Sequence, residues 1–192
     1  MLTEEARQRH LDEELIRCAE ALNEKKVLDP KYFVKPFVCS EREAVLFISD
    51  WHFGLTAENV WNRFNIEIAD KRIRMLAEKT VDKMRRNDIS KLHIVLLGDL
   101  ISGSCHQSIR VQNCENAVDQ LMQVSERLAE LISHLSDWVD ETIVYSTYGN
   151  HARVIQNFGD SIHSENMERI IPFWLKQRLK NRNDITMNEE SA

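Results

Sequence analysis

Short apolar runs alternate along the chain with longer segments in which apolar residues recur every three or four positions. The runs cover residues 44–48, 93–97 and 142–145 and are rich in β-branched and aromatic side chains. Runs of this kind are typical of parallel strands that carry apolar side chains on both faces. Because helical patterns separate them, the chain predicts a mostly parallel α/β sheet, flanked by helices, with right-handed crossovers.

The helical patterns define the domain organisation. Ala69, Ile73, Leu76 and Met84 share one helical face, and a longer pattern covers residues 118–139. An extra N-terminal helix is predicted over residues 3–25. Residues 162–179 are expected to be helical, and Pro172 within them indicates either a break or the start of a second helix. We therefore divide the chain into an N-terminal helix and connector (1–41), a domain (42–182) and a polar, frayed tail (183–192).

Composition narrows the class of protein. The 192 residues are 43% hydrophobic and 29% charged, which is ordinary for one globular domain. The net charge of −6 argues against coating nucleic acid by overall charge, although a local basic face remains open. No membrane span or signal peptide is visible, and the four cysteines form no CxxC pair. These features predict a reduced, cytoplasmic protein with no membrane partner.

A polar cluster follows each predicted strand. Asp50 and His52 follow the first strand, Asp99 the second, and Asn150 and His151 the third. In an open parallel sheet, ligands bind beyond the carboxyl ends of the strands. We therefore expect these five side chains to meet at one edge of the sheet.

These residue types suit two divalent metal ions. Carboxylate and imidazole together hold ions of the Mn²⁺, Fe or Zn²⁺ class, and Mn²⁺ is the leading choice, with Mg²⁺ a further alternative. Asp99 could bridge two ions, and Asn150 could add a neutral oxygen ligand. Two such ions clamp a phosphoryl group and generate hydroxide near neutral pH, while His151 could protonate the leaving oxygen. Each motif alone is also an ordinary turn with a capping aspartate or a surface histidine.

The combination Asp50-x-His52, Gly98-Asp99 and Gly149-Asn150-His151 resembles the calcineurin-like metallophosphoesterase superfamily. The segment 49–54 looks most similar to DNA repair exonucleases of the SbcD type and to phage-encoded phosphoesterases. The resemblance implies that Asp50 and His52 bind the first metal, Asp99 bridges both and Asn150 binds the second. It also implies that His151 is the catalytic histidine.

Two features depart from the superfamily. A carboxylate usually follows the Gly-Asn-His block, where this chain has Ala152, and the later histidine ligands are not seen. Only His163 follows His151. We therefore expect a truncated chain that forms the N-terminal half of an α/β/β/α sandwich, with sparse metal ligands and weak activity alone.

Other residues near the motifs are weaker candidates. His106 and Arg153 are expected to contact substrate, and Arg110 could also pair with phosphate. A surface position or a salt bridge is the competing interpretation for each. A Cys105 thiol nucleophile beside His106 is disfavoured because sequence neighbours rarely face each other.

The leading hypothesis is a metal-dependent phosphoesterase that acts on phosphodiesters, with DNA as a candidate substrate. One alternative is a phosphomonoesterase acting on a nucleotide, phosphoprotein or small molecule. The other is a non-catalytic scaffold whose N-terminal helix docks a partner. An uncovered apolar sheet face is expected to favour a homo-oligomer.

Overall fold

The computed structural model describes residues 4–31, 40–105, 113–155, 157–162 and 165–189. These residues form four α-helices and six strands, with two short 3-10 helices between β5 and the last α-helix. The helices are α1 (Glu4–Glu24), α2 (Ile66–Arg86), α3 (Ala117–Ser136) and α4 (Ile170–Arg178). The strands are β1 (Arg42–Ile48), β2 (Ala57–Glu58), β3 (Arg63–Phe64), β4 (Ile89–Leu96), β5 (Glu141–Ser146) and β6 (Ile185–Glu189).

The main sheet has four parallel strands in the order β1-β4-β5-β6, and β2 and β3 form a separate antiparallel hairpin. The order in the sheet follows the order in the chain. Residues of the connecting helices α2 and α3 share one core cluster with the sheet, so these helices lie on the same face of it. The α/β class, the parallel sheet and its helices agree with the prediction.

The core lies between the sheet and its helices. Leu92, Ile94 and Leu96 of β4 are buried on that face, against Leu128 and Ile132 of α3. Alternate residues of each strand therefore carry the packing energy, about 1.5–3 kcal/mol for each fully buried aliphatic side chain.

The opposite face of the sheet is open among the described residues. Val45 is 55% exposed and Phe47 is 66% exposed, and Leu97 beyond β4 is also exposed. The same face also carries Lys91 and His93 of β4, which pair with Glu141 and Glu43. An uncovered face with exposed apolar residues is therefore present in the described part of the chain, and it is mixed with charged side chains.

The N-terminal helix α1 packs against the rest of the domain. Cys18 and Leu22 of α1 are buried in a small cluster with Val118 of α3 and Trp174 of α4. Arg17 also donates a 2.7 Å hydrogen bond to Asp119. The predicted helix is confirmed, but its apolar face is used within the chain, which weakens the idea that this face docks a partner.

One sequence prediction requires correction. The tail at 183–192 is wrong for Ile185–Glu189, which form β6 and extend the sheet beyond residue 182. β6 is an edge strand. Its residues Ile185 and Met187 pack against the core, and polar residues alternate with them. The β2–β3 hairpin was not predicted, because each of its strands is too short to give an apolar run in the sequence. Pro172 lies in the first turn of α4, where its missing N–H costs nothing, so the second alternative, a helix that starts there, is confirmed.

A buried arginine explains why β6 docks. Arg182 donates to the Ser133 carbonyl (3.1 Å) and to Asp137 (2.9 Å) at the end of α3, and to both oxygens of Asp184. These bonds fix the chain immediately before β6. Ser133 and Asp137 lie 49 and 45 residues from Arg182 in sequence, so no local pattern indicated these two contacts.

Candidate functional site

The loops that follow β1 and β4 run side by side beyond the ends of their strands. The Asp50 N–H donates to the Gly98 carbonyl at 3.2 Å, and the His52 N–H donates to the Asp99 carbonyl at 3.1 Å. The parallel ladder thus continues past the strands. It brings the first two polar clusters to the same edge of the sheet.

Three of the predicted site residues have left-handed backbones. The φ angles are +53° at Asp50, +42° at His52 and +51° at Asp99. Among the described non-glycine residues, only Asp88 shares this feature. A non-glycine residue in this region costs about 1–3 kcal/mol and persists where the surrounding structure holds it, commonly at a functional site.

Glycines allow the loops to approach each other closely. A Cβ on Gly98 would overlap the backbone of Gly149, and a Cβ on Gly149 would overlap the Asp99 carboxylate. Gly98 also has a φ of +87°. These two glycines are therefore required for the β4 loop to contact the β5 loop.

The Asp99 carboxylate is the centre of the site. Its Oδ1 accepts a 2.9 Å hydrogen bond from the His151 N–H. The terminal amide of Asn150 lies 2.8 and 3.2 Å from the two carboxylate oxygens. With its nitrogen towards Asp99, the amide donates to both oxygens. With its oxygen towards Asp99, three oxygens face one another, an arrangement that a cation satisfies.

The two histidines join the clusters. The rings of His52 and His151 have centroids 4.5 Å apart, and His52 Nε2 lies 3.7 Å from Asp50 Oδ1. Contacts therefore link all five predicted residues, Asp50 to His52, His52 to His151, and His151 and Asn150 to Asp99. The expected convergence at one edge of the sheet is present.

Burial sets the protonation of His52. Desolvation and the neighbouring His151 ring lower the pKa of His52, and the carboxylates of Asp99 and Asp50 only partly oppose this. The imidazole is therefore neutral near pH 7. Neutral imidazole is the form that binds a metal ion.

A backbone carbonyl orients His151. Its Nδ1 lies 3.0 Å from the Ser102 carbonyl oxygen, which can only accept, so Nδ1 carries a hydrogen. Nε2 is then the ring nitrogen that gains or loses a proton. Residue 152, which follows the Gly-Asn-His block, is a buried alanine.

The carboxylate, amide and imidazole groups at this edge are of the kinds that bind divalent cations, and they are arranged in two pairs. Among the residues described, no three His, Cys, Asp or Glu side chains group around a single point for a metal ion. Asp99 and Asn150 form one oxygen pair, and Asp50 and His52 form a second pair, with the Asp50 side chain 67% exposed. Ions bound here would keep several waters.

The peripheral candidates have varied positions. Arg153 Nε donates to the Asn150 carbonyl at 2.8 Å, so it braces the loop of the second cluster. Burial raises the pKa of the Cys105 thiol, which argues further against a thiolate nucleophile. His106, Arg110 and His163 lie outside the described residues.

Sequence reasoning missed Glu168, a buried carboxylate behind the loops. It is 1% exposed and accepts hydrogen bonds from the N–H groups of Leu100 (2.6 Å), Ile101 (3.3 Å) and Gly149 (2.7 Å). Burial raises its pKa, while these donors favour the charged form. The carboxylate therefore joins the loop after Asp99 to the loop before Asn150.

Asn166 adds to the same brace. Its amide nitrogen donates to the Gly149 carbonyl at 2.7 Å, and its amide oxygen accepts from the Glu168 N–H. The signal in the sequence was Asn-x-Glu at the start of a helical segment. It was hidden because such residues are also ordinary helix caps.

In comparisons with protein-family models, curated proteins and solved structures, nothing matches this chain. The described residues also contain no helix with the length and apolar character needed to cross a membrane.

Proposed function

We propose that this chain is a metal-dependent phosphoesterase domain that hydrolyses a phosphate ester, with phosphodiesters, DNA among them, as the leading substrate class. The observation that carries the proposal is the Asp99–Asn150 contact. An amide and a carboxylate are held 2.8 Å apart on two separate loops. The loops can approach this closely only because each has a glycine at the contact, where any side chain would overlap the other loop. This geometry supports an oxygen-rich cation site rather than two unrelated turns.

The residues divide into holding and reacting groups. Asp50 and His52 would hold one ion, Asn150 a second, and Asp99 would bridge both. Bound ions of this kind polarise a phosphoryl oxygen and activate a water molecule. His151 would face the phosphate with both ring nitrogens protonated. Its Nε2–H would give a proton to the leaving oxygen, and the ring would become neutral with its Nδ1–H still held by the Ser102 carbonyl.

The fold that this function implies is the N-terminal half of an α/β/β/α sandwich. The open face of the sheet supports this proposal, because Val45 and Phe47 are apolar and half or more exposed. A second sheet packed on this face would bury them. The described residues are then one layer of helices and one sheet of that architecture.

Hydrolysis with matched variants tests the function. We expect Mn²⁺-dependent release of nitrophenol from bis(p-nitrophenyl) phosphate at a low rate. His151→Gln should lower kcat by about 10²–10⁴. His134→Gln, at the end of α3, is the control. Equal rates for His151→Gln and the wild type would overturn the role of His151.

The phosphomonoesterase alternative keeps the same site. It would be favoured if p-nitrophenyl phosphate were hydrolysed with a higher kcat/KM than the diester. The substrate class then changes, while the roles of Asp99 and His151 stay the same.

A non-catalytic scaffold is the second candidate function. The observation that favours it is that the ligands pair rather than group in threes among the residues described. It predicts that the folded chain, with saturating Mn²⁺, hydrolyses neither substrate above the rate of Asp99→Asn.

A further inference from the structure

A cavity of about 420 Å³ adjoins the candidate metal site on the side of the β2–β3 hairpin. Asp50 and His52 contribute to its wall, so a molecule in it would lie next to the cations proposed there. The remaining wall comes from the loop after β1, from the hairpin and from one face of α2. The residues on which the argument depends are Trp51, Asn62, Phe64 and Arg72.

Besides Asp50 and His52, the lining combines flat apolar surfaces with two polar side chains, those of Asn62 and Arg72. Trp51 and Phe64 supply aromatic rings, and α2 supplies aliphatic side chains. The Arg72 guanidinium carbon lies 5.3 Å from the centroid of the Phe64 ring. No carboxylate in the described ranges forms an ion pair with Arg72. A planar cation against an aromatic ring offers both stacking and hydrogen bonds to a flat ligand.

The hairpin presents two further apolar residues to solvent. The Asn59 side chain accepts hydrogen bonds from the N–H groups of Trp61 (2.9 Å) and Asn62 (2.8 Å), which fixes the turn. Trp61 is 94% exposed and Val60 is 92% exposed. A rigid turn that exposes a tryptophan beside a cavity provides a second stacking surface.

We propose that this cavity binds the base of a nucleotide whose phosphate lies at the candidate metal site. The substrate class is then a nucleotide ester or the end of a nucleic acid strand. This assignment rests on the proposed phosphoesterase function and makes its substrate more specific.

The polar groups favour a base over the ring of a phosphorylated tyrosine. A base carries ring nitrogens and exocyclic groups that can pair with Asn62 and Arg72. A phenyl ring, attached to phosphate through its only oxygen, would leave both side chains without partners at a cost in affinity. The exposed Trp61 also fits a strand with a neighbouring base.

Binding of uncharged probes tests the cavity without any metal. Adenosine, thymidine and N-acetyltyrosinamide are titrated separately into the ¹⁵N-labelled 192-residue chain in EDTA. Chemical shifts are followed at the Trp51 indole, the Asn62 amide and the Arg72 Nε–H. We expect the nucleosides to bind at least about tenfold more tightly than the tyrosine derivative.

Variants in the wall and beside it complete the test. Arg72→Gln and Phe64→Leu should each weaken nucleoside binding about fivefold or more, whereas Arg74→Gln, two residues along α2, should not. The proposal is overturned if the nucleosides do not bind, if the tyrosine derivative binds equally well, or if both wall variants bind nucleosides like the wild type. Absence of hydrolysis alongside nucleoside binding would instead remove the phosphoesterase proposal.

Discussion

Asp99 and Asn150 lie on different loops, and the Asn150 amide is 2.8 Å from one Asp99 carboxylate oxygen and 3.2 Å from the other. A half-turn of the amide exchanges two donated hydrogen bonds for three oxygens that face one another, the arrangement that the proposed cation site would use. The Asp99 carboxylate would therefore accept hydrogen bonds from the amide nitrogen without metal, and would face the amide oxygen across a bound ion with metal. This difference leads directly to a testable variant.

Asn150→Asp should destabilise the metal-free chain and make its stability depend on metal. Two carboxylates at this distance repel each other, which costs about 1–3 kcal/mol at neutral pH. Thermal denaturation in EDTA should show a lower Tm than that of the wild type, and Mn²⁺ should raise the variant's Tm by more. An equal Mn²⁺ response in both proteins would contradict this account of the contact.

Glu168→Gln should weaken both the fold and the site. Both carboxylate oxygens accept from backbone N–H groups, so the new NH₂ must face a donor. We expect a loss of about 2–4 kcal/mol in the free energy of unfolding by urea. Mn²⁺ affinity should also fall about tenfold at temperatures where the variant is folded. Glu165→Gln, at an exposed position three residues earlier, should change neither measurement. Equal stability of the two variants would contradict the role of Glu168 in holding the two loops together.

The Glu126–Arg178 pair predicts acid sensitivity. Burial alone would raise the pKa of Glu126, but hydrogen bonds and charge from Arg178 outweigh it and hold the pKa below its usual value. A lowered folded-state pKa gives stability that is present above the unfolded pKa, about 4.3, and is lost as pH falls further. Urea denaturation should therefore show Glu126→Gln less stable than the wild type at pH 7, with a smaller difference at pH 3. A gap that stays constant between these pH values would be the opposite result.

The open sheet face predicts self-association. Phe47→Lys places a charge on this face and should reduce the weight-average mass in sedimentation velocity at high protein concentration. Ile16→Lys changes an exposed residue on α1 and is the control. A wild type that remains at the monomer mass of 22.5 kDa across concentrations would rule out this surface as a homo-oligomer interface.

Local patterns accounted for the elements that bury many apolar residues. The face of α2 containing Ala69 and Met84 and the core strands followed from hydrophobic periodicity. β6 did not, because an edge strand with alternating polar residues resembles a tail, and its anchor Arg182 has partners far away in sequence. The secondary structure of such an element is determined by its packing against segments that are distant in sequence.

The same distinction applies to the site. Asp50, Asp99 and Asn150 could be found because each follows an apolar run and the ends of parallel strands share an edge. Glu168 could not, because its role depends on three backbone donors from two other loops. The cavity beside α2 also depends on the unpredicted β2–β3 hairpin.

Binding of Mn²⁺ to Asp99→Asn, followed by electron paramagnetic resonance, tests the central claim most directly. The control is Asp88→Asn, since Asp88 has the same left-handed backbone (φ +51°) and is not one of the predicted ligands. Asparagine tolerates this conformation, so both variants should fold. The account predicts that Asp99→Asn loses Mn²⁺ binding while Asp88→Asn keeps it. Equal Mn²⁺ binding by Asp99→Asn and the wild type would contradict a cation site at this edge of the sheet.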